Sequence, residues 1–148
     1  MKVAVASDHR GVEFRKHIRD ELMQLGLEVV DMGTDGGESV DYPDYAAKVA
    51  RAVALRQVDR GVLTCGTGIG MSLAANKVKG VRAAVVHDRF TAERSRSHND
   101  ANVLCLGAEV VKVESLGEII RTWFATPFEG GRHQRRVDKI EGLEAGDP

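Results

Sequence analysis

The sequence predicts an α/β sandwich with a five-stranded parallel sheet. Three observations predict it. Five short apolar, β-branched runs alternate with segments of helical periodicity. Most of those runs are near-continuously apolar, as strands covered on both faces are. The length of 148 residues suits one domain with one core.

The elements follow in order. KVAVAS (2–7) is the first strand and ends in the polar turn Asp8-His9-Arg10-Gly11. Phe14, Ile18, Leu22 and Leu25 then recur at spacings of four, four and three, a helical stripe that Gly26 ends. LEVVDM (27–32) is the second strand, and the turn-rich segment 34–44 is a loop. Residues 45–56 are helical, with Tyr45, Val49, Ala52 and Val53 on one face. GVLTCG (61–66) is the third strand, and the glycine-rich turn after it runs into a helix. VRAAVV (81–86) is the fourth strand, followed by a weakly patterned helix over 89–98. NVLCLG (102–107) is the fifth. Leu116, Ile119, Ile120 and Trp123 mark a helix over 114–125, which Pro127 stops. The tail, 129–148, is charged and glycine-containing with little for the core. It predicts a short helix around Arg135–Ile140 that packs on a second subunit.

Composition narrows the function classes. Lys plus Arg is 21 and Asp plus Glu is 22, a net charge of −1, so the chain is not built around a polyanion such as nucleic acid. Its apolar runs are far shorter than the ~20 residues that span a bilayer. The opening MKVAVASDHRG has charge where a secretory signal needs an apolar stretch. Cys65 and Cys105 make no disulfide framework, and a reducing cytoplasmic location is expected.

Parallel α/β sheets bind ligands beyond the carboxyl ends of their strands. That directs attention to Ser7–Gly11, Gly33–Asp44, Thr64–Gly70, His87–Arg89 and Gly107–Glu109. CGTGIGMS (65–72) is the most informative stretch. Its alternate glycines let backbone approach a ligand, and a helix start offers unsatisfied N–H groups to an anion. It lacks the Gly-Lys-Ser/Thr ending of a Walker loop. It follows the third strand where a dinucleotide fingerprint follows the first. A cysteine phosphatase loop would close on Arg where Met71 stands. Cys65, before the helix, is either a base or nucleophile favoured by that position or a small buried apolar residue. Cys105, inside a strand, is structural. His9, His87 and His98 gather near one sheet edge, and His17 lies on a helix surface. Arg132, His133, Arg135 and Arg136 form either a solvated tail or a phosphate clamp suited to arginine's fork.

SDHRG (7–11), ESVDYPDYA (38–46), CGTGIGMSLAANK (65–77), RSHNDANVLCLG (96–107) and TPFEGGRHQRRVDKI (126–140) together closely resemble the B type of ribose-5-phosphate isomerase. That family includes allose-6-phosphate and galactose-6-phosphate isomerases. The resemblance runs from residue 2 to about residue 141. It implies a Rossmann-like three-layer α/β/α sandwich working as a homodimer, in some members a tetramer, with the site between subunits. It implies interconversion of ribose 5-phosphate and ribulose 5-phosphate through an enediolate, with no metal and no cofactor. By resemblance, Cys65 is the base and Thr67 lies beside the reacting carbons. The amides of Gly66, Thr67, Gly68, Ile69 and Gly70 match the anion hole. His98 opens the sugar ring, Asp8 and Asn99 hold hydroxyls, and Tyr42 lines the site. His9, Arg132 and Arg136 match phosphate ligands. One departure stands out: the family usually carries Arg where this chain has Glu109. The alternatives are an isomerase of another phosphorylated sugar, such as allose 6-phosphate, and a non-catalytic sugar-phosphate binder.

Overall fold

A computed structural model describes residues 1–146. Five strands, β1 (Lys2–Ser7), β2 (Glu28–Asp31), β3 (Arg60–Cys65), β4 (Ala83–Val85) and β5 (Val103–Gly107), form one parallel sheet in the order β2-β1-β3-β5-β4. The helices are α1 (Val12–Gln24), α2 (Tyr42–Ala54), α3 (Ile69–Ala75), α4 (Arg89–Ser97), α5 (Val113–Ala125) and α6 (Arg132–Glu144). The predicted three-layer sandwich is the observed fold.

The two-residue period of the strands divides the core in two. Val3, Val5, Val62, Leu104 and Leu106 face one way and meet Phe14, Ile18 and Leu22 of α1 and Leu116, Ile119, Ile120 and Trp123 of α5. Ala4, Ala6, Leu63, Cys65, Val103 and Cys105 face the other and meet α2 and α3. The helical stripes read from the sequence are therefore core faces, except that Leu25 lies past the helix end and is exposed. Gly26 follows at φ +74° as the expected stop.

Two boundaries differ instructively. The helix expected from residue 45 begins at Tyr42, because Pro43 in the first turn lacks only an N–H that no helix start uses. The tail helix is not short: α6 runs for 13 residues and buries His133 and Val137. Its far end binds its own chain. Glu141 pairs with Arg82 at 2.8 Å, and Glu144 accepts from the Gly80 N–H at 3.0 Å. No helix among the described residues is long and apolar enough to cross a membrane.

A buried polar cluster fixes the loop after β2. Arg15 of α1 donates to Ser7 Oγ, to the Thr34 carbonyl at 2.6 Å and to Asp31 at 3.2 Å, and its side chain is only 6% exposed. Arg15→Met would leave Ser7 Oγ and the Thr34 carbonyl without this donor and remove the buried partner of Asp31, which keeps Arg19 and the Gly33 N–H. Breaking a buried ion pair on one side costs about 3 kcal/mol. A urea denaturation midpoint lowered accordingly checks this, and an unchanged midpoint would contradict it.

Candidate active site

Strands β1 and β5 flank β3, so three strand ends converge: Ser7, Cys65 and Gly107. Cys65 closes β3 on the α2/α3 side, nearly buried at 6% exposure. The chain then turns at Gly68, whose φ of +78° is a left-handed value that glycine adopts without strain. That turn aims the Gly68 N–H at Cys65 Sγ, 3.2 Å away. An N–H donated to sulfur stabilises negative charge there. Thr67 is exposed beside it, and Thr67 Oγ1 accepts from the Ile69 N–H at 3.3 Å. Gly70, in the first turn of α3, has no intrahelical acceptor for its N–H. Helix α3 has only seven residues, so these aimed amides matter more than any long dipole. Cys105 lies on the same face one strand over, wholly enclosed, and burial drives its thiol far above the ordinary range. It is structural, as expected.

The neighbouring loops complete this edge. Asp8 Oδ1 accepts the N–H groups of Arg10 and Gly11 at 3.0 and 3.2 Å, which closes a single 3-10 turn. His9 Nδ1 accepts the Val40 N–H at 3.1 Å, so the proton of the neutral ring sits on Nε2. That bond ties the loop before α2 to the end of β1. The Tyr42 ring lies against Gly70: a β-carbon there would meet it at 2.6 Å. Asp8, His9, Tyr42, Cys65, Gly66, Thr67, Gly68, Ile69 and Gly70 therefore share one edge.

His98, Asn99, Arg132 and Arg136 do not. The expectation that His98 joins His9 at one edge is corrected. Helix α4 starts after β4 and runs back against the strand direction, so His98 at its end lies where β5 begins. Helix α5 returns the same way, and Glu129 donates its N–H to the Ser97 carbonyl at 3.1 Å. Asp100 turns the chain at φ +47°, accepting from Arg96 at 2.8 Å and Arg82 at 3.2 Å. Arg96 also holds the Ala101 carbonyl at 2.6 Å. This network sets His98 and exposed Asn99 in place. Arg132 and Arg136 are exposed on the first turns of α6.

His133, one member of the basic cluster at 132–136, is buried rather than solvated. Its ring stacks on His98, with centroids 4.1 Å apart and planes 15° from parallel. Only the approach of α6 to α4 reveals this; no spacing in the chain signals it. Glu129 Oε2 lies 3.4 Å from His133 Nε2. His98, Glu129 and His133 present their ligand atoms within 4.8 Å of one another. Stacked rings hold their lone pairs in near-parallel planes, whereas a shared ion needs them to converge.

Burial, with the positive charge of His98 and Arg132 as lesser causes, lowers the His133 pKa from 6.5; Glu129 opposes them. Below about pH 6.5 the unfolded chain therefore binds a proton the native chain resists, so stability falls as pH falls. A smaller acid-side loss of Tm in His133→Gln than in the parent checks this. Equal losses would contradict it.

The model of the Ribose/Galactose Isomerase family matches residues 3–140. The chain belongs to that family. Ribose-5-phosphate isomerase B of Escherichia coli is 47% identical over 143 residues, covering 97% of this chain and 96% of that one. The solved structure of Clostridium thermocellum ribose-5-phosphate isomerase B superposes with a TM-score of 0.96 at 50% identity, covering 99% of each chain. That of the Mycoplasma genitalium enzyme, with bound ribulose-5-phosphate, superposes with a TM-score of 0.94 at 43% identity, covering 99% of this chain and 97% of that one. Family membership carries the reaction class, aldose–ketose isomerisation of sugars.

Proposed function

We propose that this isomerase interconverts ribose 5-phosphate and ribulose 5-phosphate in the cytoplasm, with Cys65 as base and no metal or cofactor. The observation that carries this reading is the Gly68 N–H directed at Cys65 Sγ beneath exposed Thr67. The thiolate takes the proton from C2 of the open-chain aldose. The C–H electrons form the C1–C2 double bond of an enediolate, and negative charge settles on O1. The hydroxyl proton passes from O2 to the O1 oxyanion, the same thiol returns its proton to C1, and the C2 carbonyl forms, which restores the thiolate and makes the C1 hydroxyl of the ketose. Preorganised donors such as the Gly70 amide stabilise the oxyanion without having to reorient at the moment of reaction.

The remaining roles divide between two subunits of a homodimer. His9, with Nε2 as donor, together with Arg132 and Arg136, takes the phosphate. His98 opens the sugar ring. Asp8 and Asn99 hold hydroxyls, and Tyr42 walls the site. Opposite placement on the sheet supports the division, since one chain cannot bring both edges to one sugar. A half-apolar groove of about 710 Å³ beside Asn99, lined by Val81, Ala84, Ile140 and Leu143, supports a partner's presence, as do exposed Leu73 and Phe90. The domain is one unit whose tail, 129–148, of which residues 147–148 lie outside the described residues, serves both its own core and a partner's site.

A second reading, an isomerase of a six-carbon phosphorylated sugar such as allose 6-phosphate, is favoured by Glu109. One carbon of pocket depth is worth about 1–3 kcal/mol in discrimination. Steady-state kinetics on ribose 5-phosphate, allose 6-phosphate and galactose 6-phosphate tests both. Highest kcat/KM for ribose 5-phosphate is expected. Preference for a six-carbon sugar transfers the mechanism to that substrate. Saturable binding with no turnover leaves a sugar-phosphate binder.

A further inference from the structure

Arg10 and Glu109 stand on either side of the Cys65 loop, because β1 and β5 flank β3. Arg10 Nη1 lies 3.8 Å from Glu109 Oε1 across that loop. The Glu109 N–H donates to the Gly66 carbonyl at 2.9 Å, and its carboxylate lies 3.2–3.4 Å from where a Gly66 β-carbon would stand. The backbone N–H of Arg10 is held by Asp8. Both ends of the pair are thus anchored to residues of the candidate site. The side chains are 64% and 61% exposed, and such ion pairs contribute about 0–1 kcal/mol to stability. Folding therefore does little to explain the pair, while its position places it over Gly66, the residue next to Cys65.

We propose that Arg10 is a substrate-positioning residue: its guanidinium, oriented over the Cys65–Gly68 loop by Glu109, contacts the anionic group of the sugar phosphate. A guanidinium offers the paired donors that phosphate oxygens accept. It follows His9 directly in the single 3-10 turn after β1, so both side chains start from one strand end. The Glu109 carboxylate comes within 3.8 Å of the guanidinium, so an arginine at position 109 reaches the same space and could do the same work. The inference rests on the phosphorylated-sugar reading above and names a residue for its anionic end.

The test uses Arg10→Val and the double variant Arg10→Val/Glu109→Arg in the full-length protein. The readouts are KM for ribose 5-phosphate, kcat, and the Kd of inorganic phosphate by calorimetry. Arg10→Val is expected to raise KM and the phosphate Kd about tenfold, with kcat little changed. The double variant is expected to recover most of both. An unchanged KM and Kd in Arg10→Val would overturn the proposal. So would a rise that Glu109→Arg fails to reverse, since general loosening of the turn would look the same. Absence of turnover in the parent protein would sink the isomerase reading alone, because the phosphate Kd still decides the role of Arg10.

Discussion

Cys65→Ala is expected to abolish nearly all turnover while leaving sugar-phosphate binding close to that of the parent. Removing a base that acts in the transition state costs about 10²–10⁴-fold, and here no second thiol can substitute. Cys105 is one strand away but enclosed, with its thiol held protonated by burial. The side chain lost is small and sits at a strand end rather than mid-core, so the fold should tolerate alanine. A kcat lowered about a thousandfold with KM changed little fits a group that acts only in the transition state. Full activity in the alanine variant would remove Cys65 from the chemistry and leave the Gly68 N–H stabilising an inert sulfur.

Mixing two inactive variants should restore activity. If His98 and Cys65 of one site come from different chains, Cys65→Ala and His98→Asn proteins each lose both sites of their homodimers. Unfolding and refolding them together at equal amounts forms hybrids in half of the dimers. Each hybrid carries one site with both groups intact and one with neither. About a quarter of parental activity should return, as an isologous two-fold pairing requires. No recovery would place a complete site within one chain and contradict the division across the sheet. The same experiment with Arg136→Ala in place of His98→Asn asks whether the tail arginines travel with His98, as their shared edge implies.

Much of this was legible in the chain, for reasons of periodicity. A parallel strand buried on both faces must be apolar throughout, so KVAVAS and NVLCLG announce themselves. A helix lying on a sheet must repeat its apolar residues at three and four, so Phe14, Ile18 and Leu22 do the same. Strand-end loops follow each apolar run, which brings Asp8, His9, Cys65 and Thr67 to notice from position alone. Pro43 blurred one boundary because a proline that ends helices elsewhere is welcome in a first turn.

The amino-acid sequence by itself determined the layers, the strand ends and the glycine-rich loop after Cys65, because each depends on neighbours within a few residues. Tertiary structure alone decided three things. It decided that α4 carries His98 away from Cys65, since helix direction relative to the sheet is a property of the whole βαβ crossover. It decided that His133 of α6 lies on His98, residues 35 apart in the chain whose rings meet at 4.1 Å. And it decided that Arg10 faces Glu109, because only the strand order β1-β3-β5 sets those two loops on either side of one cysteine. Local pattern specifies which surfaces are apolar; which distant polar groups then meet depends on how those surfaces pack.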